Sequence, residues 1–479
     1  MREFDIVIIG AATAGSFFAK LMAEKGFSTL VIDALPEKEI GKRLTVFHVD
    51  SVYFDKTGIP RLGEGDPEFI TSFEYSMCES AYGHYPKKTL YPFTVFNLER
   101  FNHHLHSWSK RFGVQYEFNT SFKEFIFNDE KKICGVKIQN EEGEEEIYCR
   151  LVVDCSGINA PVRCALPDDY GIENTPLSPR DMFYVILRYV KLEDPIREKP
   201  NTSTAYPYYK TWIAPSDDPE GAVIGIGANL SYEYAESVYK DFENTIRLPK
   251  IVGEPRIEKG TTPYRHAIYS LVSDGFLCIG DSAAITKPYS GEGVTASWNL
   301  CMIAADVVEN AMKDGKYPTK DALWPINVKY SRTQGANFAE IMATLVGAID
   351  ATKDENEYEF KHNIVFDEAV MTQMNYAFAN KMTIRQMLYL VNQIIDARAN
   401  GSIRKSTISN IIKSLLKASK LKKHYKSFPK KAKKFEKWCI KADELWKDAG
   451  CMADIIEKSF KGWLNYLRLV EKISLNICV

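Results

Sequence analysis

The clearest periodicity lies at the start of the chain. Residues 4–10 (FDIVIIG) form a run that is apolar apart from Asp5 and suited to a strand covered on both faces. Residues 11–26 carry apolar side chains at helical spacing, and residues 28–33 (STLVID) repeat the buried-strand pattern. Together they predict a β-α-β unit. From there to about residue 95 the pattern is mixed, with turn formers at Gly58, Pro60 and through 63–67. A helix is expected over 101–112 and short strands over 134–138, 147–154 and 222–226. A second strand-turn-helix pattern occupies 275–309. Beyond Tyr330 prolines and strand-like runs thin out, and 366–399 and 403–421 show helical spacing with Asn400-Gly401 as a stop between them. No internal repeat or low-complexity linker interrupts the chain, so the helical tail is expected to pack on the body.

With 45% apolar and 26% charged residues over 479 positions, the composition is globular and excludes disordered and fibrous classes. Lys+Arg number 61 against 63 Asp+Glu, a net charge of −2, too balanced for a surface that grips nucleic acid as a whole. No stretch approaches the roughly 20 apolar residues of a spanning helix. Glu3 and Asp5 stand where a signal peptide would be basic, so a cytoplasmic protein is expected. The ten cysteines contain no C-x-x-C pair and read as reduced thiols rather than as a zinc or iron–sulfur site.

Two segments carry candidate chemistry. Gly10-Ala11-Ala12-Thr13-Ala14-Gly15 sits where a strand ends and a helix begins, and Asp33 ends the next strand. In a dinucleotide-binding turn the first glycine makes the bend, the second admits a pyrophosphate, the third lets helix and strand approach, and the acid takes a ribose hydroxyl. Ala12 replaces the second glycine. The helix N-terminus still offers free N–H groups and a positive dipole end. The other segment is a buried strand ending in Gly280-Asp281, followed by Pro288, Gly291, Glu292, Gly293 and a helix to about residue 309.

This second segment resembles the second flavin fingerprint of the hydroxylase-type FAD-dependent oxidoreductases. Within them it resembles the geranylgeranyl reductase family, including its archaeal-type digeranylgeranylglycerophospholipid reductases. The resemblance implies that FAD is the cofactor, that Asp281 binds the ribityl hydroxyls, that Pro288 lies beside the ring system, and that the backbone of Gly291 to Gly293, with Glu292 between, faces its pyrimidine side. Leu151-Val152-Val153-Asp154-Cys155-Ser156-Gly157 with Arg163 resembles the family's strand-to-turn segment beside the FAD. Phe101-Asn102-x-x-Leu105 resembles a helix whose pyrophosphate arginine would stand three positions before the Phe. That position is Leu98, so Arg100 is the candidate substitute. The implied fold is α/β: a doubly wound, Rossmann-like FAD domain (1–60, 95–165 and 266–330), an inserted antiparallel-sheet substrate domain (61–94 and 166–265), and a C-terminal helical region (331–479).

On the substrate side the family carries approximately Y-x-W-x-F-P and then G-x-G. This chain has Lys210-Thr211-Trp212-Ile213-Ala214-Pro215, then nine residues, then Gly225-Ile226-Gly227. Trp212, Pro215, Gly225 and Gly227 match, Tyr209 is displaced by one, and Ala214 in place of Phe widens the site. The family's P-C-G-D is Leu44-Thr45-Val46-Phe47 here, so no cysteine-based step carries over. The resemblance implies a reductase that saturates C=C bonds of a polyisoprenoid lipid precursor by hydride transfer from reduced flavin. Tyr209, His48 and water are open as proton donors, the electron donor is unidentified, and no metal or nucleic acid is expected. Flavin monooxygenases and halogenases share both fingerprints. A quinone-type oxidoreductase would need cluster cysteines that Cys439, Cys451 and Cys478 do not provide, and a prenyl-binding escort without flavin is the non-enzymatic reading.

The tail adds an independent signal. Residues 403–437 hold thirteen Lys and Arg against one acid. Ile408, Ile411, Ile412, Leu415 and Leu416 share one helical face, flanked by Lys405, Lys413, Lys417 and Lys420. Peripheral attachment to an anionic membrane and a solvated helix packed by its apolar stripe are both consistent with that pattern. His103, His104 and His106 do not converge on a helix and read as surface residues. Cys149, Cys155 and Cys164 read as packed thiols. The aromatic stretches 82–101 and 206–212 are expected in the core or facing a lipid channel.

Overall fold

The first apolar run becomes the strand Arg2–Ile9, whose Ile6, Val7 and Ile8 are fully buried between two parallel neighbours, with the helix Thr13–Glu24 packed against it. The computed structural model describes residues 2–457 apart from 197–198, 207–208, 247, 350, 365, 377–383, 452 and 455–456. The central sheet runs Val272–Ser273, Phe276–Cys278, Gly143–Asp154, Arg2–Ile9, Thr29–Ile32, Gln115–Glu117, with an antiparallel arm of Ile133–Asn140 and Ser121–Phe127. Ile9 stands level with Ile32 and Asp154, and Asp154 with Cys278. Gly10, Asp33, Cys155 and Gly280 therefore leave the sheet at one edge, the carboxyl end where ligands of open α/β sheets bind.

The expected 11–26 helix is Thr13–Glu24, and the second strand-turn-helix ends in the helix Val294–Met312. These two helices pack together: the buried Trp298 donates its indole N–H to the Thr13 carbonyl at 3.1 Å and lies 5.8 Å from Phe17. Two motifs far apart in sequence are thus one unit in space. The 101–112 helix begins earlier, at Leu98, because Asn97 accepts the Arg100 N–H at 3.0 Å and caps it.

A second, seven-stranded sheet is ordered Ile251–Pro263, Met182–Leu192, Gly221–Asn229, Tyr209–Pro215, Thr202–Tyr206, Ser76–Glu79, Lys87–Thr89. It is antiparallel except where Thr202–Tyr206 meets Ser76–Glu79. Val46–Asp50, Phe93–Asn97 and Phe69–Phe73 make a small third sheet. After Tyr330 the described chain is helical: Ala336–Val346, Lys353–Lys361, Glu368–Asn375, Ile384–Ala399, Lys405–Lys426 and Phe435–Ala449. The long helix expected over 366–399 is therefore represented by Glu368–Asn375 and Ile384–Ala399, and Gly401 at φ +76° supplies the expected stop.

Candidate active site

A cavity of about 310 Å³ lies between the carboxyl edge of the central sheet and the second sheet. From the first motif Ala12, Thr13, Ala14 and Gly15 line it; from the second, Gly280, Asp281, Gly291, Glu292 and Gly293 do. Cys155 and Gly157 join them, and the opposite wall holds Phe47, His48, Phe93, Phe183, Val185, Leu187, Trp212, Ala214 and Val223. Among the described residues its only charged-type side chains are His48, Asp281 and Glu292, and no described lysine or arginine lines it.

Each glycine of the first turn has a steric reason. A Cβ on Gly10, whose φ is +112°, would stand 2.1 Å from the Cys155 carbonyl oxygen, and one on Gly15 would stand 1.9 Å from that of Gly10. Gly10 therefore makes the bend and Gly15 lets the helix close on it, while neither needs a ligand to explain it. The turn is braced from behind. Asp33 accepts the Ala11 N–H at 2.8 Å and the Leu35 N–H at 2.9 Å, and His106 reaches the Ala11 carbonyl through Nε2 at 2.7 Å. His106 is fully buried, its other nitrogen 3.1 Å from Glu37, which corrects the expectation of a surface histidine. The helix Thr13–Glu24 has no side-chain cap, so its first N–H groups face the cavity with the dipole behind them.

The second turn is held by a buried ion pair. Lys287 Nζ lies 2.9 Å from Glu292 Oε2, both side chains about 5% exposed or less, and Nζ is also 3.4 Å from the Tyr91 hydroxyl. Burial works to raise the Glu292 carboxyl, but Lys287 and Thr295 outweigh it and hold the group ionised. Asp281 has no such partner. Burial, and then the Glu292 charge, push its pKa up to about 7. Asp154, fully buried at the end of its strand, accepts Ser156 and Arg163 backbone N–H groups at 2.9 Å each, and Arg163 donates to the carbonyls of Ser282 and Thr175. Arg163 thus ties the third segment to the second turn from outside the cavity.

The substrate-side motif works through two flat rings. A Cβ on Gly225 would stand 2.0 Å from the Trp212 ring and one on Gly227 2.2 Å from the Phe183 ring. The G-x-G pair does not line the cavity; it lets Trp212 and Phe183 lie on the sheet and face it. Pro215 and Pro288 are buried outside the lining. Tyr209 begins its strand, and its side chain lies outside the described residues. Arg100 is a correction: it points away, donating to the Pro67 carbonyl at 2.7 Å, and Leu98 and Asn102 line the cavity instead. Phe183 and Lys287 were passed over in the sequence; the glycine across from each large ring and the lysine five residues before an acid were the available signals.

The geometry fits a flavin dinucleotide. Gly157 and Gly291, at φ +84° and +70°, have nothing within 4 Å of a would-be Cβ, so bare backbone faces the cavity, and no described residue hydrogen-bonds the Asp281 carboxyl. A doubly wound fold with two such turns opening on one cavity defines an FAD-dependent oxidoreductase. The chain belongs to the FAD binding domain family, whose model matches residues 3–309. It is similar to the digeranylgeranylglycerophospholipid reductase of Sulfolobus acidocaldarius, 24% identical over 77% of this chain and 82% of that one. It is also similar to a 1H-pyrrole-2-carbonyl-[peptidyl-carrier protein] brominase of Pseudoalteromonas luteoviolacea, 24% identical over 66% and 80%. Among solved structures, a geranylgeranyl bacteriochlorophyll reductase-like protein of Thermoplasma acidophilum superposes with a TM-score of 0.61 at 13% identity, covering 83% of this chain and 99% of that one. A flavin-dependent brominase gives 0.59 at 17% identity, covering 83% and 100%.

Proposed function

We propose that this oxidoreductase saturates C=C bonds of a geranylgeranyl or longer polyisoprenoid lipid precursor. The observation that carries the reading is the wall facing the two turns, which is mostly apolar: Phe47, Phe93, Val95, Phe183, Val185, Leu187, Trp212, Ala214 and Val223, with His48, Asn201, Thr261 and Thr262 as polar side chains among the lining residues beyond the turns. An alkene offers no charge to grip, so a dry channel that fixes its position is what such a reaction requires. FAD, reduced by a donor still to be identified, supplies the hydride.

The chain's own residues have separable tasks. The free N–H groups at Thr13 to Gly15 hold the pyrophosphate without an arginine, Asp281 takes the ribityl hydroxyls, and the 291–293 turn presents backbone to the ring. Trp212 and Phe183 orient the prenyl chain and exclude water. His48 is the one described side chain on that wall able to hold a proton, at an imidazole nitrogen. Residues 1–60, 95–165 and 266–330 form the FAD unit, 61–94 and 166–265 the substrate unit, and the enzyme meets its lipid as a peripheral membrane protein; no described helix is long and apolar enough to cross a membrane.

The similarity to brominases favours a second reading, oxygen-dependent halogenation or hydroxylation on the same fold. Anaerobic incubation of the dithionite-reduced enzyme with a prenyl lipid, read by mass spectrometry, separates the two. A gain of one H2 per saturated bond supports the reductase. No gain anaerobically, with bromine or oxygen incorporated once air and halide are admitted, refutes it.

A further inference from the structure

The helix Lys405–Lys426 packs inside out. Its buried face is made of Thr407, Ser414, Ala418, Leu421 and Tyr425, and Ser414 approaches so closely that a Cβ on Gly347, at the end of the helix Ala336–Val346, would stand 2.3 Å from it. The large aliphatics point the other way: Ile412 is 49%, Leu415 47% and Leu416 61% exposed. Beside it, Leu390, Ile394 and Ala397 of the helix Ile384–Ala399 join Ile408 in a small cluster, leaving Leu388 at 60%, Val391 at 48% and Ile395 at 58% exposed on the outer side. Six exposed aliphatics on two helices that meet through this cluster mark an interaction surface rather than a solvated one.

We infer that this outer face docks on an anionic lipid bilayer, an inference that rests on the lipid-substrate reading above. Charge selects the occupant. Lys405, Lys413, Lys420 and Lys423 make no ion pair among the described residues, whereas Lys417 is engaged by Asp448 at 3.5 Å and Lys422 by Glu340. Unspent lysines on the rim of an aliphatic face are the arrangement of an interfacial helix, with the side chains entering the acyl boundary and the ammonium groups reaching headgroup phosphates. Of the lysines singled out from the sequence, Lys417 is thus the one already committed within the protein.

The test is sedimentation of the FAD-loaded protein with vesicles of phosphatidylglycerol and phosphatidylcholine, or of phosphatidylcholine alone, with flavin content and anaerobic turnover of a detergent-dispersed short prenyl substrate measured alongside. Binding is expected only with phosphatidylglycerol and should fall as salt rises. Each lysine near such a surface contributes about 1 kcal/mol, about fivefold in partitioning, so Lys413→Glu/Lys420→Glu/Lys423→Glu should weaken binding by about 100-fold or more. Leu415→Ser/Leu416→Ser should also lose binding, with flavin content and dispersed-substrate turnover intact for both variants. Wild-type-like binding by either variant, binding indifferent to phosphatidylglycerol, or a dimer that Leu415→Ser/Leu416→Ser dissociates would overturn the inference. Vesicle binding without any prenyl reduction would sink the reductase reading and leave the docking face standing.

Discussion

Gly225→Ala puts the cavity wall to a direct test. A Cβ there would stand 2.0, 2.2 and 2.6 Å from Cε2, Cζ2 and Cδ2 of Trp212. Carbon atoms in contact settle at about 3.5–4.0 Å, so the indole must move by about 1.5 Å. Its other side faces the cavity, and that is where it goes. Overpacking costs about 1–3 kcal/mol, here toward the low end because the ring enters open volume rather than packed atoms. Removing a glycine from the unfolded chain returns about 0.4–1 kcal/mol, since Gly225 is not among the positive-φ glycines. The net loss is about 0–2 kcal/mol, so the variant should fold and keep its flavin while the cavity narrows. We expect KM for a long prenyl substrate to rise with flavin content unchanged, and Trp212→Ala in the same background to bring it back toward wild type. An unchanged KM in the single variant, or no recovery in the double, would show that the Trp212 ring does not bound the substrate space.

Four further outcomes follow from the site. Asp281→Ala removes the partner of about two hydroxyl hydrogen bonds at roughly 0.5–1.5 kcal/mol each, so FAD should bind about tenfold or more weakly in equilibrium dialysis; unchanged affinity would misplace the second turn. The folded Asp281 keeps a proton up to about pH 7 that the unfolded carboxyl releases near its ordinary 3.8, so flavin-free protein should lose stability as pH rises through that window, by a few kcal/mol. Asp281→Asn should abolish that slope in denaturant midpoints at about pH 5 and about pH 8; parallel wild-type and variant profiles would count against it. Ala214→Phe should depress turnover on long prenyl chains more than on short ones, and equal losses would mean the position does not meet the chain. Lys287→Met strands a buried carboxylate at a cost of about 3–5 kcal/mol in urea unfolding, most of which Lys287→Met/Glu292→Gln should recover; a double variant as unstable as the single would deny the pair that role.

What the sequence made legible are features whose cause is local. The buried runs at 4–10 and 276–279 could only be strands covered on both faces, and the glycines at 10 and 15 stand where backbone meets backbone, so the two turns and their shared edge followed from one-dimensional pattern. Arg100 failed because side-chain direction on a helix is set by what the chain does nearby. The Pro67 carbonyl, which no spacing rule connects to residue 100, claims the guanidinium. Gly225 and Gly227, expected from the sequence to bind substrate, sit behind the cavity lining, since a missing Cβ is visible in sequence whereas the ring that fills its place is supplied by a different strand, Phe183 from Met182–Leu192 in the case of Gly227.

The same limit explains the basic helix. Helical spacing tells which residues share a face but not which face turns inward, and the usual inference, that the apolar side is the buried one, presumes that burial in the protein is the only place an aliphatic side chain can go. Here Gly347 and the small residues Ser414 and Ala418 let two helices approach closely, which buries the narrow face and turns Ile412, Leu415 and Leu416 outward. Close packing of small residues stabilises the contact without using the aliphatics, so their apolar surface remains available to a partner. The lipid substrate proposed above would give the enzyme a use for that surface, because the substrate and the place that lowers the free energy of those side chains would be the same phase. On the proposed lipid-reductase reading, the largely apolar cavity wall and the apolar outer helices answer one physical requirement, accommodating a chain that water rejects, at two points in the same molecule.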